Sequence, residues 1–313
     1  MTHKPHSWAA SSDPVASSPQ ESRQVLPTAV PVLSLAKDGA AAIRQAVASG
    51  KPAVFADLAE SWPALTTWSP SALSERFGGK RVRVYDASFG TPGKNYMGSV
   101  DEMDFAQFLN AVLNRGRDLR MFLYNISQQI PELLDDVRFP DVGLRFSRRF
   151  VFTFFGCQGA TTPLHYDIDM GHVLHTVIRG RRRIRLYAPS ESAALYRHPF
   201  TVRSYLDLDS PDTQAYPAFA HAQGYELELL AGQTLFMPAG YWHEFHYLEA
   251  GIGLSLRAPS PRLRDRATGV ANLLLLSPVD RCMNKIATKT WFDWKRRRAL
   301  TNARAFIKRK SVL

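Results

Sequence analysis

Hydrophobic and polar positions divide the chain into a mixed first half and a strand-rich second half. In the first half, apolar residues recur with helical spacing in AAAIRQAVASG and SPSALSERFG, whereas KRVRVYDA alternates as a strand does. From residue 148 onward, glycine and proline separate short apolar or alternating segments: RRFVFTFFG, TPLHYDID, HTVIRG, RRIRLYAP, GYELELL, QTLFMPAG, YWHEFHYL and GIGLSLRA. Short strands separated by glycine and proline in this way predict a β-sandwich or barrel.

The same pattern predicts three regions along the chain. Residues 1–28 are rich in serine, proline and alanine and lack periodicity, which indicates a flexible leader. We predict one domain over residues 29–260, with its β-rich core at residues 148–258, and a helical segment over residues 261–313. The predicted fold class is mainly β with flanking helices (α+β).

Composition adds limits on where the protein works. The hydrophobic fraction of 45% is that of a globular protein, and no apolar run approaches the roughly 18 to 20 residues of a membrane-spanning helix. The N-terminus lacks the apolar core of a signal peptide. Cys157 and Cys282 are the only cysteines, and neither lies in a CxxC motif. We therefore expect a cytoplasmic protein with no membrane span and no disulfide framework.

The net charge of +11 is concentrated near the C-terminus. Residues 289–310 contain nine basic residues and one acidic residue. Apolar residues at near-helical spacing accompany them: Ile286, Trp291, Trp294, Leu300, Ala303 and Ile307. A basic amphipathic helix can lie on a membrane surface, on nucleic acid or against a protein partner. Alternatively, its apolar side packs on the β-rich core and its basic side is solvated.

The stretch TTPLHYDIDMGHVLH carries candidate metal ligands. His165 and Asp167 are two residues apart in a predicted strand, so both side chains project to one face. Two histidines and one carboxylate form the ligand set typical of non-haem Fe(II) oxygenases. His243, in MPAGYWHEFHYL, follows a turn and is the candidate third ligand. An H-x-D pair is often structural, so spacing alone leaves a metal site and a structural role about equally open.

The segments TTPLHYD, GRRRIRLYAP and AGQTLFMPAGYWH, in this order, resemble the JmjC/cupin-like Fe(II)- and 2-oxoglutarate-dependent oxygenases. The resemblance is to the bacterial cupin-8 type, related to the asparaginyl hydroxylase that inhibits the hypoxia-inducible factor. GKPAVFADLAESWPALTTWS and LYNISQQIPELLDDV are also similar, so the resemblance covers about residues 30–260. It implies a double-stranded β-helix (jelly roll) with an N-terminal α/β extension and C-terminal helices. It also implies Fe(II) held by His165, Asp167 and His243, with 2-oxoglutarate and O2 as co-substrates.

The resemblance further implies a co-substrate pocket, for which the candidates are Thr162, Arg182, Tyr124, His175 and Ser255. Arg182 stands where the family usually has a lysine for the far carboxylate of 2-oxoglutarate; arginine can bind a carboxylate through two N–H groups but is not equivalent to lysine. Phe122 stands where relatives place a tyrosine, and Tyr124 is two residues away. Tyr96, in GKNYMGS, is a further candidate pocket residue.

The leading functional hypothesis is hydroxylation of a protein or peptide side chain, or demethylation that begins with the same hydroxylation. RNA or a small molecule is an alternative substrate. Related hydroxylases form homodimers through C-terminal helices, so we expect a homodimer, and nucleic acid is a possible partner of the basic segment. The non-enzymatic alternative is a catalytically impaired cupin-fold binding protein, which Arg182 and Phe122 favour. Another cupin metalloenzyme, such as an isomerase, would usually carry an H-x-H motif.

Overall fold

The structure is a computed structural model that describes residues 29–90, 98–114 and 116–310. The predicted leader over residues 1–28 and the candidate Tyr96 lie outside these ranges. The strands are β1 (Val32–Leu33), β2 (Ala53–Phe55), β3 (Arg81–Val84), β4 (Asp101–Asp104), β5 (Arg120–Asn125), β6 (Val151–Gly156), β7 (Thr161–His165), β8 (His172–Arg179), β9 (Arg182–Tyr187), β10 (Gly224–Leu229), β11 (Thr234–Met237), β12 (Trp242–Tyr247) and β13 (Gly251–Ala258).

Helices flank these strands at both ends of the chain. They are α1 (Leu35–Ala48), α2 (Ala64–Thr67), α3 (Pro70–Phe77), α4 (Phe105–Leu109), α5 (Ile126–Gln129), α6 (Leu263–Ala271), α7 (Ser277–Ile286) and α8 (Thr288–Lys310). A π-helical turn, Asn272–Leu276, joins α6 to α7. In the described part of the chain, no helix is both long enough and apolar enough to cross a bilayer.

Two sheets form the jelly roll. The larger has the strand order β1-β2-β11-β8-β13-β6-β5, and the smaller has the order β10-β9-β12-β7. From β6 to β13 the chain passes repeatedly from one sheet to the other, and the pairs within each sheet over this stretch are antiparallel. Apolar residues of both sheets, among them Val177, Ile184 and Leu235, are fully buried and share one cluster. The predicted mainly-β jelly roll with flanking helices is confirmed.

The N-terminal α/β extension lengthens the larger sheet through β1, β2 and β5. Its helices begin and end where the sequence signals indicate. The Ser69 side chain accepts a hydrogen bond from the Ala72 N–H at the start of α3. Gly50, just after α1, has a φ of 66°, which glycine adopts without steric cost. Trp62 and Trp68 are buried in the core of this part of the molecule.

The C-terminal helices pack on the β-rich core through α8. Ala299, Ala303 and Phe306 are buried in a cluster that includes Trp242 of β12. The predicted apolar stripe is therefore partly correct, because Ile286 and Trp294 are 75% and 39% exposed. The basic residues of α8 are exposed to solvent, as the alternative interpretation of this helix predicted. The exception is Lys295, which is buried.

Candidate metal centre and co-substrate pocket

Three candidate ligands meet at one end of the jelly roll. Strands β7 and β12 are antiparallel neighbours in which His165 lies directly opposite His243. Residues that face each other across such a pair project to the same side of the sheet, and the two ring centroids are 4.3 Å apart. Asp167 completes the group, since one ligand atom from each residue lies within 4.8 Å of the others. The structure thus brings together the three residues that were predicted as metal ligands.

The backbone structure at Asp167 differs from the prediction. Strand β7 ends at His165, so Asp167 lies beyond the strand rather than within it. The Tyr166 N–H still donates to the Val202 carbonyl at 3.0 Å, and a turn follows, in which the Met170 N–H donates to the Asp167 carbonyl at 3.1 Å. The chain is therefore held by a neighbouring loop just where the sheet pairing stops.

Backbone carbonyls fix the tautomer of both imidazoles. The His165 Nδ1–H donates to the Pro163 carbonyl at 2.8 Å, and the His243 Nδ1–H donates to the Tyr241 carbonyl at 3.0 Å. Each Nε2 therefore keeps a lone pair for a metal. Burial, followed by the neighbouring His243, lowers the pKa of His165 to about 3, and burial also lowers the pKa of His243. Both rings are neutral near pH 7, as metal binding requires.

Arg257, on β13, orients the carboxylate of the group. Its Nη2 donates to Asp167 Oδ1 at 2.8 Å, and its Nη1 donates to Asp169 Oδ1 at 2.9 Å. Burial alone would raise the pKa of Asp167, but the charge of Arg257 and its hydrogen bond oppose burial and hold the pKa well below its usual range. Asp167 is therefore ionised. The carboxylate of Asp167 and the two neutral imidazoles together form a donor set that fits a first-row divalent metal ion. This set matches the arrangement of non-haem Fe(II) sites.

A cavity of about 250 Å³ borders the candidate ligands, and Arg182 lies in its wall. Arg182 is only 1% exposed. Its Nη1 donates to His175 Nε2 at 2.7 Å, its Nη2 donates to the Phe154 carbonyl at 3.2 Å, and the guanidinium lies 4.2 Å from the Tyr247 ring centroid.

No carboxylate pairs with Arg182 in the described part of the chain, and its Nε has no hydrogen-bond partner there. A buried cation without a counter-ion is unfavourable unless an anion binds to it. Arg182 therefore fits the far carboxylate of 2-oxoglutarate, which it can hold through charge-assisted hydrogen bonds.

His175 and Ser255 form a short chain of hydrogen bonds behind this guanidinium. Burial, and then the charge of Arg182, lower the pKa of His175 well below its usual value. Because the neutral ring accepts from Arg182 at Nε2, its Nδ1 carries the proton and donates to Ser255 Oγ at 2.9 Å. The Ser255 hydroxyl proton is therefore available as a donor toward the cavity, which Ser255 lines.

The remaining co-substrate candidates have different outcomes. Thr162, on β7, lines the cavity as predicted. Tyr124 does not line it, and packs partly buried against the main hydrophobic core instead. The expected alternation of β5 is broken by an irregularity between Met121 and Tyr124, with Leu123 at a φ of 52°. Phe122 reaches the cavity in its place, so the assignment of Tyr124 to the pocket does not agree with the structure.

Among the residues missed by sequence reasoning are Tyr247 and Gly253, which contact Arg182, and Arg257, which contacts Asp167. A Cβ on Gly253 would lie 2.4 Å from Arg182 Nη1, so only glycine leaves room for the guanidinium. Gly253 and Arg257 have the same strand parity as Ser255 in GIGLSLRA, and this parity was the available signal. Nothing in the sequence indicated that the Tyr247 ring would face Arg182.

A loop and the C-terminal helices also contribute to the wall of the cavity. Phe200 and Arg203 line it from the loop, and Leu276, Asp280 and Arg281 line it from the start of α7. Asp280 is buried and accepts from Trp291 Nε1 at 2.7 Å and from Lys295 Nζ at 2.6 Å, so it ties α7 to α8. The C-terminal helices are thus part of the site.

The chain belongs to the family of cupin-like domains, whose model matches residues 40–293. Within this family it is of the JmjC type. JmjC-type cupin proteins are typically Fe(II)- and 2-oxoglutarate-dependent oxygenases. The matched range extends past residue 260 and therefore includes α6 and α7.

Several relatives align with about half to two thirds of this chain. Lysine-specific demethylase 8 of Xenopus tropicalis is 28% identical over 214 residues, which are 66% of this chain and 47% of that protein. tRNA wybutosine-synthesizing protein 5 of Gallus gallus is 29% identical over 225 residues, which are 63% of this chain and 67% of that protein. The human protein of the same name is 33% identical over 52% of this chain and 49% of its own length. The chain thus spans about half to two thirds of these relatives.

Proposed function

We propose that this protein is an Fe(II)- and 2-oxoglutarate-dependent dioxygenase that hydroxylates a group presented by a macromolecule. The observation that carries this proposal is that one cavity contains two complementary features. His165, Asp167 and His243 offer the ligand set of a non-haem iron centre. Arg182 offers a buried cation that has no counter-ion among the described residues. A chelating dicarboxylate is the ligand that both features together would bind.

The roles of the individual residues follow from their contacts. His165, Asp167 and His243 would hold the iron, with Arg257 keeping the carboxylate ionised and oriented. Arg182, with donors from Thr162 and Ser255, would hold the far carboxylate of 2-oxoglutarate. When bound, the metal and the keto acid supply the oxidising chemistry, in which the keto acid loses CO2 and one C–H bond of the substrate is hydroxylated.

The apolar lining protects this chemistry from water. Phe154, Val173, Met237 and Phe245 contribute to the cavity wall. A dry wall strengthens the electrostatic interactions of Arg182 and Asp167 and limits side reactions of the oxidant.

The volume of the cavity limits the substrate group. About 250 Å³ is below the usual range of small-molecule pockets, roughly 300 to 1,000 Å³, and the co-substrate takes part of it. Only one projecting group of side-chain size can enter beside the co-substrate. A protein or peptide side chain, the leading prediction from the sequence, satisfies this limit. Demethylation of an N-methyl group would begin with the same hydroxylation and needs the same space.

The second candidate function is co-substrate binding without turnover. The observation that favours it is Phe122, which lines the cavity where a hydroxyl donor was expected. Tight binding of 2-oxoglutarate without succinate release would support this alternative. The homodimer stays a prediction, supported by the exposed apolar side chains of Leu263, Leu274 and Ile286.

The decisive assay measures succinate from purified protein supplied with Fe(II), 2-oxoglutarate and O2. We expect slow succinate release without substrate, and none from Asp167→Ala, which removes a metal ligand. Arg181→Met is the control, because Arg181 is exposed just before β9 and pairs with Glu249 away from the candidate ligands. Absence of both succinate release and metal binding in the wild type would refute the proposal. Mass spectrometry of lysate proteins treated with the loaded enzyme, for the gain of one oxygen atom, then tests the predicted protein substrate.

A further inference from the structure

We infer that the outer face of α8 binds single-stranded nucleic acid. The binding surface is the basic stripe, defined as Trp294, Arg297, Thr301, Arg304 and Lys308. A protein side chain stays the favoured substrate of the cavity, and nucleic-acid binding by α8 goes beyond the proposed function. Binding itself needs neither iron nor 2-oxoglutarate.

The basic stripe follows from helix geometry. Its members are spaced alternately by three and four residues, so they lie on one line along the helix. All of them are exposed, whereas Ala299, Ala303 and Phe306 on the opposite side are buried. At about 1.5 Å per residue, the stripe is about 21 Å long. The basic stripe is therefore a straight, solvent-facing row that begins with the Trp294 ring and carries three cationic side chains beyond it.

The exposed positive charge on this helix is not neutralised by ion pairs within the described part of the chain. Its exposed basic residues are Lys289, Arg296, Arg297, Arg298, Arg304, Lys308, Arg309 and Lys310. Over the described residues, none of these forms an ion pair; the single ion pair of α8 joins the buried Lys295 to Asp280. A row of like charges on one face raises the local positive potential and attracts a polyanion.

The packing of α8 argues against a membrane as the partner. A helix that binds a bilayer surface inserts an apolar face between the lipids. Here the apolar face is already occupied, because Ala299, Ala303 and Phe306 pack on the jelly roll. A regular polyanion is therefore the better match to the outer face.

Aromatic rings connect the basic stripe to the cavity. Trp291 and Trp294 are stacked, with ring centroids 4.9 Å apart and planes 11° from parallel. Phe200 lies 5.3 Å from Trp291 and 6.1 Å from Trp294, and it also lines the cavity. Trp294 is 39% exposed, which leaves part of its ring for a stacked base. Stacking on aromatic rings beside a basic track is typical of single-strand binding and favours nucleic acid over an acidic peptide.

Fluorescence anisotropy with the full chain, free of metal and co-substrate, tests the binding surface. The probes are a labelled RNA strand, the DNA strand of the same sequence, its duplex, a poly-glutamate peptide and anionic lipid vesicles. We expect binding of a single strand that weakens steeply between about 50 and about 200 mM salt. Comparison of RNA with DNA identifies the natural ligand. Equal or tighter binding of the peptide or the vesicles would overturn the inference, as would no binding to either strand.

Matched charge variants locate the binding surface. Arg297→Gln, Arg304→Gln and Lys308→Gln, combined in one protein, should lower affinity at least about tenfold and flatten the salt slope by about two units. The control combines Lys37→Gln, Lys51→Gln and Lys80→Gln, which removes the same charge from exposed sites elsewhere and should leave affinity near that of the wild type. Equal losses in both triple variants would show general electrostatic attraction and refute the stripe.

Trp294→Ala separates stacking from charge. We expect at least about fivefold weaker binding of the single strand, a smaller effect on the duplex, and partial recovery in Trp294→Phe. An unchanged single-strand affinity in Trp294→Ala would refute the role of the aromatic rings. Since succinate release without substrate is measured separately, failure of binding and failure of the proposed oxygenase activity are distinguishable.

Discussion

Replacing Arg182 by methionine should weaken 2-oxoglutarate binding at least about thirtyfold without weakening the fold. The guanidinium is 1% exposed and has no carboxylate partner in the described chain. Removing an unpaired buried cation relieves a desolvation penalty of several kcal/mol. The substitution also leaves His175 Nε2 without its donor, which costs about 1–3 kcal/mol. These effects oppose each other, so we expect a free energy of unfolding within about 1 kcal/mol of the wild type.

The loss of ligand affinity should be much larger. Truncating one partner of a buried, hydrogen-bonded charge pair costs about 2–5 kcal/mol, which is about thirtyfold to several thousandfold in Kd. Wild-type protein with Mn(II) and 2-oxoglutarate at about one hundred times its Kd gains about 2.7 kcal/mol of stability. In Arg182→Met, the same concentration is at most about three times the weakened Kd, so at least about two thirds of this gain should disappear.

Urea unfolding with and without 2-oxoglutarate measures both quantities in one experiment. Arg181→Met is the control, because it makes the same substitution at the neighbouring position, where the side chain is exposed and pairs with Glu249. Its ligand-induced stabilisation should equal that of the wild type. If Arg182→Met keeps the ligand-induced gain, 2-oxoglutarate binds elsewhere. If it loses more than about 3 kcal/mol without ligand, the guanidinium is a structural element of the core.

Three further predictions follow from particular contacts. Arg257→Met should weaken Mn(II) binding about ten- to one hundredfold in calorimetry, because Asp167 loses the donor that orients it, and an unchanged affinity would contradict this role. Asp280→Ala should lower the free energy of unfolding by about 3–5 kcal/mol, because Lys295 is left buried without its counter-ion, and adding Lys295→Met should restore part of the loss; no restoration would contradict the ion-pair argument. Burial, with Lys295 and Arg296, lowers the pKa of His198 to about 4 from 6.5. The unfolded state therefore takes up a proton that the native ring does not, and the stability contributed above pH 6.5 is lost as the pH falls toward 4. His198→Phe should reduce this acid-induced loss, measured by urea unfolding at several pH values, by up to about 3 kcal/mol; the same pH dependence in the variant would contradict the assignment.

The local pattern of hydrophobic, polar and turn residues was sufficient to predict the strands of the jelly roll. The eight strand segments identified between residues 148 and 258 correspond to β6 through β13. They were recognisable because each strand has one side in the core and ends at glycine, proline or another turn residue. The ligand candidates His165, Asp167 and His243 were also recognisable, since their residue types suit a metal and their segments matched a family pattern.

The co-substrate end of the site was less predictable. Tyr124 was assigned on the assumption of unbroken alternation, and the positive φ of Leu123 breaks that alternation. Arg257 and Gly253 act through partners from other strands, which one strand's sequence does not show. In the sequence, Lys295 belongs to a run of basic residues that suggests a solvated surface. In the structure, its ammonium group forms a buried ion pair with Asp280.

By itself, the sequence determined the strands, the helices and the chemistry that each side chain can perform, because these depend on residues close together along the chain. Tertiary structure decided which side chains meet. The register of β12 against β7 places His243 opposite His165, and the approach of β13 to β9 leaves room for Arg182 only at Gly253. Such contacts arise from long-range packing and hydrogen bonding between sheets, and no local pattern encodes them.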